Sequence, residues 1–130
     1  MNALVVENSR TMRSVLRRIL SMRGFVVAEA DDEVKALELL HGTQYPDIAL
    51  VQWDVHDMRL LDLVAHMREE PPHKTVIILL AEAEPGMREL QQVLIAGADD
   101  YLVKPFTSRQ IDGKLNLASL TCHWDNRIGL

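Results

Sequence analysis

At 130 residues, with 48% hydrophobic and 25% charged side chains, the chain is one globular domain large enough to bury most of its apolar surface. A formal charge of -5 argues against general nucleic-acid binding, and the longest apolar runs, such as Val76–Ala81, are far too short for membrane insertion. The lone Cys122 excludes a disulfide framework or a thiolate zinc cluster, and Met1–Glu7 has no basic n-region of a signal peptide, so a cytoplasmic location is expected.

Ala3–Val6 opens the chain as a short apolar run, and Asn8 or Ser9 can cap the helix that follows. In that helix Met12, Val15, Leu16, Ile19 and Leu20 form an apolar stripe, closed by Arg23-Gly24. Phe25–Ala28 is a second strand. Asp31 or Asp32 caps a helix with Val34, Leu37 and Leu40 inward and Gly42 at its end. After Pro46-Asp47, Ile48–Val51 reads as a strand buried on both faces. Leu60, Val64 and Met67 mark a third helix, stopped by Pro71-Pro72. Val76–Leu80 is another buried strand. Pro85-Gly86 opens a helix with Met87, Leu90 and Leu94 inward, ended by Gly97. Tyr101–Val103 is the fifth strand, and Thr107 or Ser108 caps a helix carrying Ile111, Leu115 and Ala118. Five strands alternating with five helices predict an α/β fold, a parallel sheet covered on both faces by right-handed crossovers. Residues 1–120 form this domain, and 121–130 are a tail or linker stub. Ligand chemistry in such folds sits at the carboxyl ends of the strands, where strand order reverses, which directs attention to Gln52.

Three stretches carry a family resemblance. Gly97–Phe106 (GADDYLVKPF), Tyr45-Pro46-Asp47, and Asn8–Arg13 (NSRTMR) resemble response-regulator receiver domains, the phospho-acceptor modules of two-component signalling. The resemblance spans residues 1 to about 120 in the family's element order. It implies the flavodoxin-like doubly wound (βα)5 fold with strand order 2-1-3-4-5, and a cis peptide bond before Pro105. It also implies the family's chemistry: phosphoryl transfer from a histidine kinase to an aspartate ending the third strand, aided by magnesium, a lysine and a hydroxyl.

On that resemblance the acceptor position is Gln52, and a carboxamide cannot form an acyl phosphate. The paired acids are Glu7 and Asn8, the hydroxyl position is Leu80, and His56 and Leu60 replace the proline and glycine of the following loop. Lys104, Pro105, Tyr101 and Asp54 are retained, Asp54 where the family offers a backbone carbonyl to the metal. One remaining acid predicts no tight magnesium binding and no other cofactor. Lys104 is expected to pair with Glu7, with Gln52 and Asn8 hydrogen-bonded around them.

Asp54, two residues beyond the strand, is expected to face solvent rather than serve as a substitute acceptor. Arg10, Arg13, Arg17 and Arg18 make a basic side on the first helix, read as a solvated face before a docking surface. With Leu80 unable to bond a phosphate, Tyr101 is expected to hold one conformation. His41, His56, His66, His73 and His123 lack ligand spacing, so no metal site is expected.

The reading is an atypical, non-enzymatic receiver domain acting by phosphorylation-independent contacts with a histidine kinase, an output protein or another receiver. Its expected interaction face, which could also form a homodimer, contains Arg88, Gln91, Gln92, Asp100, Tyr101 and Ser108. Two alternatives are a phospho-switch using Asp54 or another acid, and a small flavodoxin-like ligand binder. Against the latter, no glycine-rich loop follows any strand.

Overall fold

The computed structural model describes residues 1–41, 45–69 and 75–122, and the side chains of those up to residue 118. Ten elements alternate: β1 (Asn2–Val6), α1 (Arg10–Met22), β2 (Val26–Ala30), α2 (Glu33–His41), β3 (Ile48–Trp53), α3 (Leu60–Glu69), β4 (Val76–Ala81), α4 (Met87–Ala96), β5 (Asp100–Val103) and α5 (Ser108–Cys122). The strands pair in parallel in the order β2-β1-β3-β4-β5, the doubly wound arrangement expected from the sequence. The predicted stops at Gly42 and Pro71-Pro72, and residues 123–130 of the tail, lie outside the described residues.

The strand period of two divides the interior into two layers. Ile48, Leu50, Ile78 and Leu80 point with Val5 into the layer roofed by Leu16 and Leu20 of α1 and Ile111, Leu115 and Ala118 of α5. Ala49, Val51, Trp53, Ile77, Leu79 and Ala81 point the other way, beneath α2, α3 and α4. Both sides of β3 and β4 are therefore filled, which is why these strands read as continuous apolar runs.

The caps resolve each sequence ambiguity. Ser9 Oγ accepts from the Met12 amide at 3.2 Å, and Asp32 Oδ1 from that of Lys35 at 2.8 Å. Thr107 and Gln110 form a reciprocal box: Gln110 Oε1 accepts from the Thr107 amide at 2.8 Å, and Thr107 Oγ1 from the Gln110 amide at 3.2 Å.

Three expectations need correction. The strand expected at Phe25–Ala28 begins one residue later and runs to Ala30, because the Phe25 amide bonds back to Leu20 O at the end of α1 while the Val26 amide joins Met1 O. Val15 and Val34 lie outside the core at 48% and 64% exposure. Met87 and Leu94 are also exposed, because α4 is turned about its axis: Val93 is seated on the core beside the expected Leu90, and its carbonyl accepts the Gly97 and Ala98 amides of the closing turn.

Candidate functional site

The site lies beyond the carboxyl ends of β1, β3, β4 and β5, where the sheet register brings distant residues together. The Glu7 amide donates to Ala30 O at 3.0 Å, extending the β1–β2 ladder one residue and carrying the Glu7 side chain into the interior. On the far side, the Lys104 amide donates to Ala81 O at 2.8 Å, so Lys104 emerges beside the residue that follows β4. Its Nζ stands 2.8 Å from Glu7 Oε2 and 2.9 Å from Glu82 Oε1. Glu7 is wholly buried, whereas Glu82 is about half exposed.

The Glu7–Lys104 pair is the one expected; Glu82 as a second carboxylate is not. Its signal lies in the register: Ala81 pairs with Val103, so residues 82 and 104 leave neighbouring strands together. The Ser9 amide donates to Glu7 Oε1 at 3.2 Å, and Arg13 donates to Glu7 O at 2.7 Å, so neither the carboxylate nor the carbonyl is left bare. Burial alone would lower the Lys104 pKa. Hydrogen bonds and charge from Glu7 and Glu82 outweigh that effect and hold it above the ordinary lysine range.

Gln52, near the end of β3, sits opposite Leu80 in the β3–β4 register. Its Oε1 accepts from the Asn8 main-chain amide at 2.8 Å, so Gln52 bonds the backbone beside Glu7, where it was expected to bond around the Glu7–Lys104 pair. Leu80 is fully buried in the α1/α5 layer. Asp54 is exposed, and its Oδ1 accepts from the His56 amide at 3.0 Å, so it belongs to the loop rather than to the Lys104 cluster. The Lys104–Pro105 peptide bond is cis.

Tyr101 is half-buried, its ring edge-on to buried Trp53 at 6.1 Å between centroids, its hydroxyl 3.4 Å from Glu84 Oε1. Asp100 forms an ion pair with Lys114 at 2.8 Å. Arg88, Gln91, Gln92 and Ser108 are exposed on α4 and at the start of α5. The basic side of α1 is smaller than its sequence implies. Arg13 and Arg17 both pair with Glu29, whose single charge offsets one of the four, and Arg10 and Arg18 stand exposed on the helix without a share in that pairing.

This is the fold and strand-end site of a receiver domain, and the chain belongs to that family: the response regulator receiver domain model matches residues 3–116. The chain is similar to the chemotaxis protein CheY1 of Helicobacter pylori, 35% identical over 118 residues that cover 90% of this chain and 95% of the relative. It is 34% identical to the CheY homolog of Campylobacter jejuni over 116 residues, covering 88% and 89% of the two chains. A response regulator from Thermotoga maritima has the same fold, with TM-score 0.75, 27% identity, and coverage of 90% and 95%. The protein is thus a CheY-like signalling module of the two-component type and not an enzyme, and such domains work through contacts with kinases and output proteins. No helix among the described residues is long and apolar enough to cross a membrane.

Proposed function

We propose that this receiver domain signals without being phosphorylated, through protein contacts that its folded surface presents constitutively or on partner binding. The observation that carries the reading is the carboxamide of Gln52 at the acceptor position, held by the Asn8 amide. An amide nitrogen and oxygen offer no carboxylate to attack phosphorus, and no acyl phosphate can form there.

The neighbours support the same reading. In place of a paired-acid metal site there is one buried acid, Glu7, already neutralised by Lys104. Magnesium gives up its water reluctantly and takes one or two carboxylates plus substrate phosphate, and these residues do not fit it. Lys104 is occupied on two sides by Glu7 and Glu82 rather than free to receive a phosphoryl group. Leu80 supplies no hydroxyl that could follow a phosphate, so Tyr101 keeps its place against Trp53.

The surface we assign to partners, or to a second copy, is α4–β5–α5. Arg88, Gln91 and Gln92 stand exposed on α4 with Met87, Leu94 and Ile95, whose exposures reach 72%, 48% and 87%. Apolar side chains beside polar ones suit a non-obligate interface with a kinase, an output protein or another receiver. The setting is cytoplasmic.

Incubation with acetyl phosphate and magnesium followed by intact-mass measurement tests the proposal. The expected result is the unmodified mass. A stoichiometric single-phosphoryl adduct, at Asp54 or elsewhere, would sink it.

A further inference from the structure

We propose that His41 and His66 form a binding site for a divalent first-row transition ion of the copper or zinc class. The two are distant in sequence and show no ligand spacing there, yet the packing of α2 against α3 brings their imidazoles together. The ring centroids are 5.6 Å apart and the planes inclined at 52°. Two imidazoles on one tetrahedral ion, with metal–nitrogen bonds of about 2.1 Å, have centroids about 5 Å apart, close to the separation seen here. Tyr45 also lies against His66, 5.9 Å between centroids.

A second observation favours a cation at this place. His41 is the last residue of α2, and His66 lies in the last turn of α3. Both helices therefore direct the negative ends of their dipoles toward the pair. Neutral imidazole is a good ligand for copper and zinc and a poor one for magnesium or calcium, which fixes the class of ion. Among the described residues no third histidine, cysteine or carboxylate joins the two. Water then completes the coordination, giving an open site that clips α2 to α3 and leaves positions for a ligand from a partner.

Calorimetric titration of the untagged full chain with Cu2+, Zn2+ and Mg2+ tests this, beside His41→Gln, His66→Gln and the control His56→Gln. The expected result is one equivalent bound, copper tighter than zinc, and no magnesium binding. Each of the first two variants should weaken copper by about tenfold or more, and the control should not. Electron paramagnetic resonance of the copper complex should show two imidazole nitrogens in the wild type and one in either variant. Unchanged affinity in His41→Gln or in His66→Gln would overturn the proposal. So would the absence of saturable copper binding in the wild type, or a spectrum whose nitrogen count ignores the two substitutions.

Discussion

Lys104 stands between a carboxylate that solvent does not reach and one that it does, and the two are unequal partners. Glu7 is fully buried, so removing its counter-ion strands a charge in the interior, whereas Glu82 rehydrates where it is. Lys104→Met should therefore cost about 3–5 kcal/mol in urea denaturation, and Glu82→Gln about 1 kcal/mol or less. The double variant Glu7→Gln/Lys104→Met should recover much of the loss, because neither charge then remains to be solvated. The pH dependence follows from the raised Lys104 pKa. Its stabilising contribution is complete below the pKa of an unfolded lysine and is lost as pH climbs through the higher folded value. Wild-type stability should thus fall more steeply above about pH 10 than that of Lys104→Met. Trp53 poses the opposite case, a buried indole whose Nε1 has no hydrogen-bond partner among the described residues. Trp53→Phe discards that unsatisfied donor along with some packing, so its net cost should stay below the roughly 3–5 kcal/mol typical of large aromatic truncations. A loss of that full size would show that packing alone governs the position.

At the scale of elements, the turn from α4 into β5 is where sequence and structure bind most tightly. Gly97 has φ of +122°, and a Cβ there would lie 2.5 Å from Arg68 Cγ. Arg68 in turn donates to Gly97 O at 2.8 Å and pairs with Asp99 at 2.6 Å, while Asp99 accepts the Ile77 amide at 2.8 Å. Gly97→Ala must strain the backbone and displace this clamp, a loss of about 2 kcal/mol or more, and it should be less than additive with Arg68→Ala. Gly113, inside α5 with open space around it, predicts the reverse: Gly113→Ala should stabilise by about 1 kcal/mol by thermal or chemical denaturation. The alternation of strands and helices was legible because β3, β4 and the α3 and α5 stripes are long, fully buried and bounded by turn residues. The facing of α4 was not, since Met87/Leu90/Leu94 and Leu90/Val93 are both helical spacings and packing on the sheet buries the second. In the site, Glu7 with Lys104 followed from the positions that the family resemblance assigns them and from their opposite charges. Glu82, and the pairing of Arg13 and Arg17 with Glu29, depend on register and on β2 lying beside α1, which residue types do not reveal.

For the whole molecule, switching is a property of several positions acting together, and restoring one of them should not restore it. Gln52→Asp would return a carboxylate to the end of β3, but into a cluster that already holds Glu7 and Glu82 around one ammonium. The added charge raises repulsion in the absence of a cation, so the variant should be less stable than wild type in chelator and should regain stability in millimolar magnesium. Even if that new carboxylate were phosphorylated, it would meet Leu80, which is buried and carries no hydroxyl, so nothing ties the phosphate to β4. Tyr101 would remain edge-on to Trp53, and the α4–β5–α5 surface would not respond. Amide exchange over residues 87–103 of Gln52→Asp should accordingly be the same with and without acetyl phosphate and magnesium. The triple variant Asn8→Asp/Gln52→Asp/Leu80→Thr, which also restores the second acid and the hydroxyl, should show a phosphodonor-dependent change there. A clear exchange response in the single variant would mean that the receiver fold couples its acceptor to α4 without the hydroxyl, and that residue 52 alone keeps this protein silent.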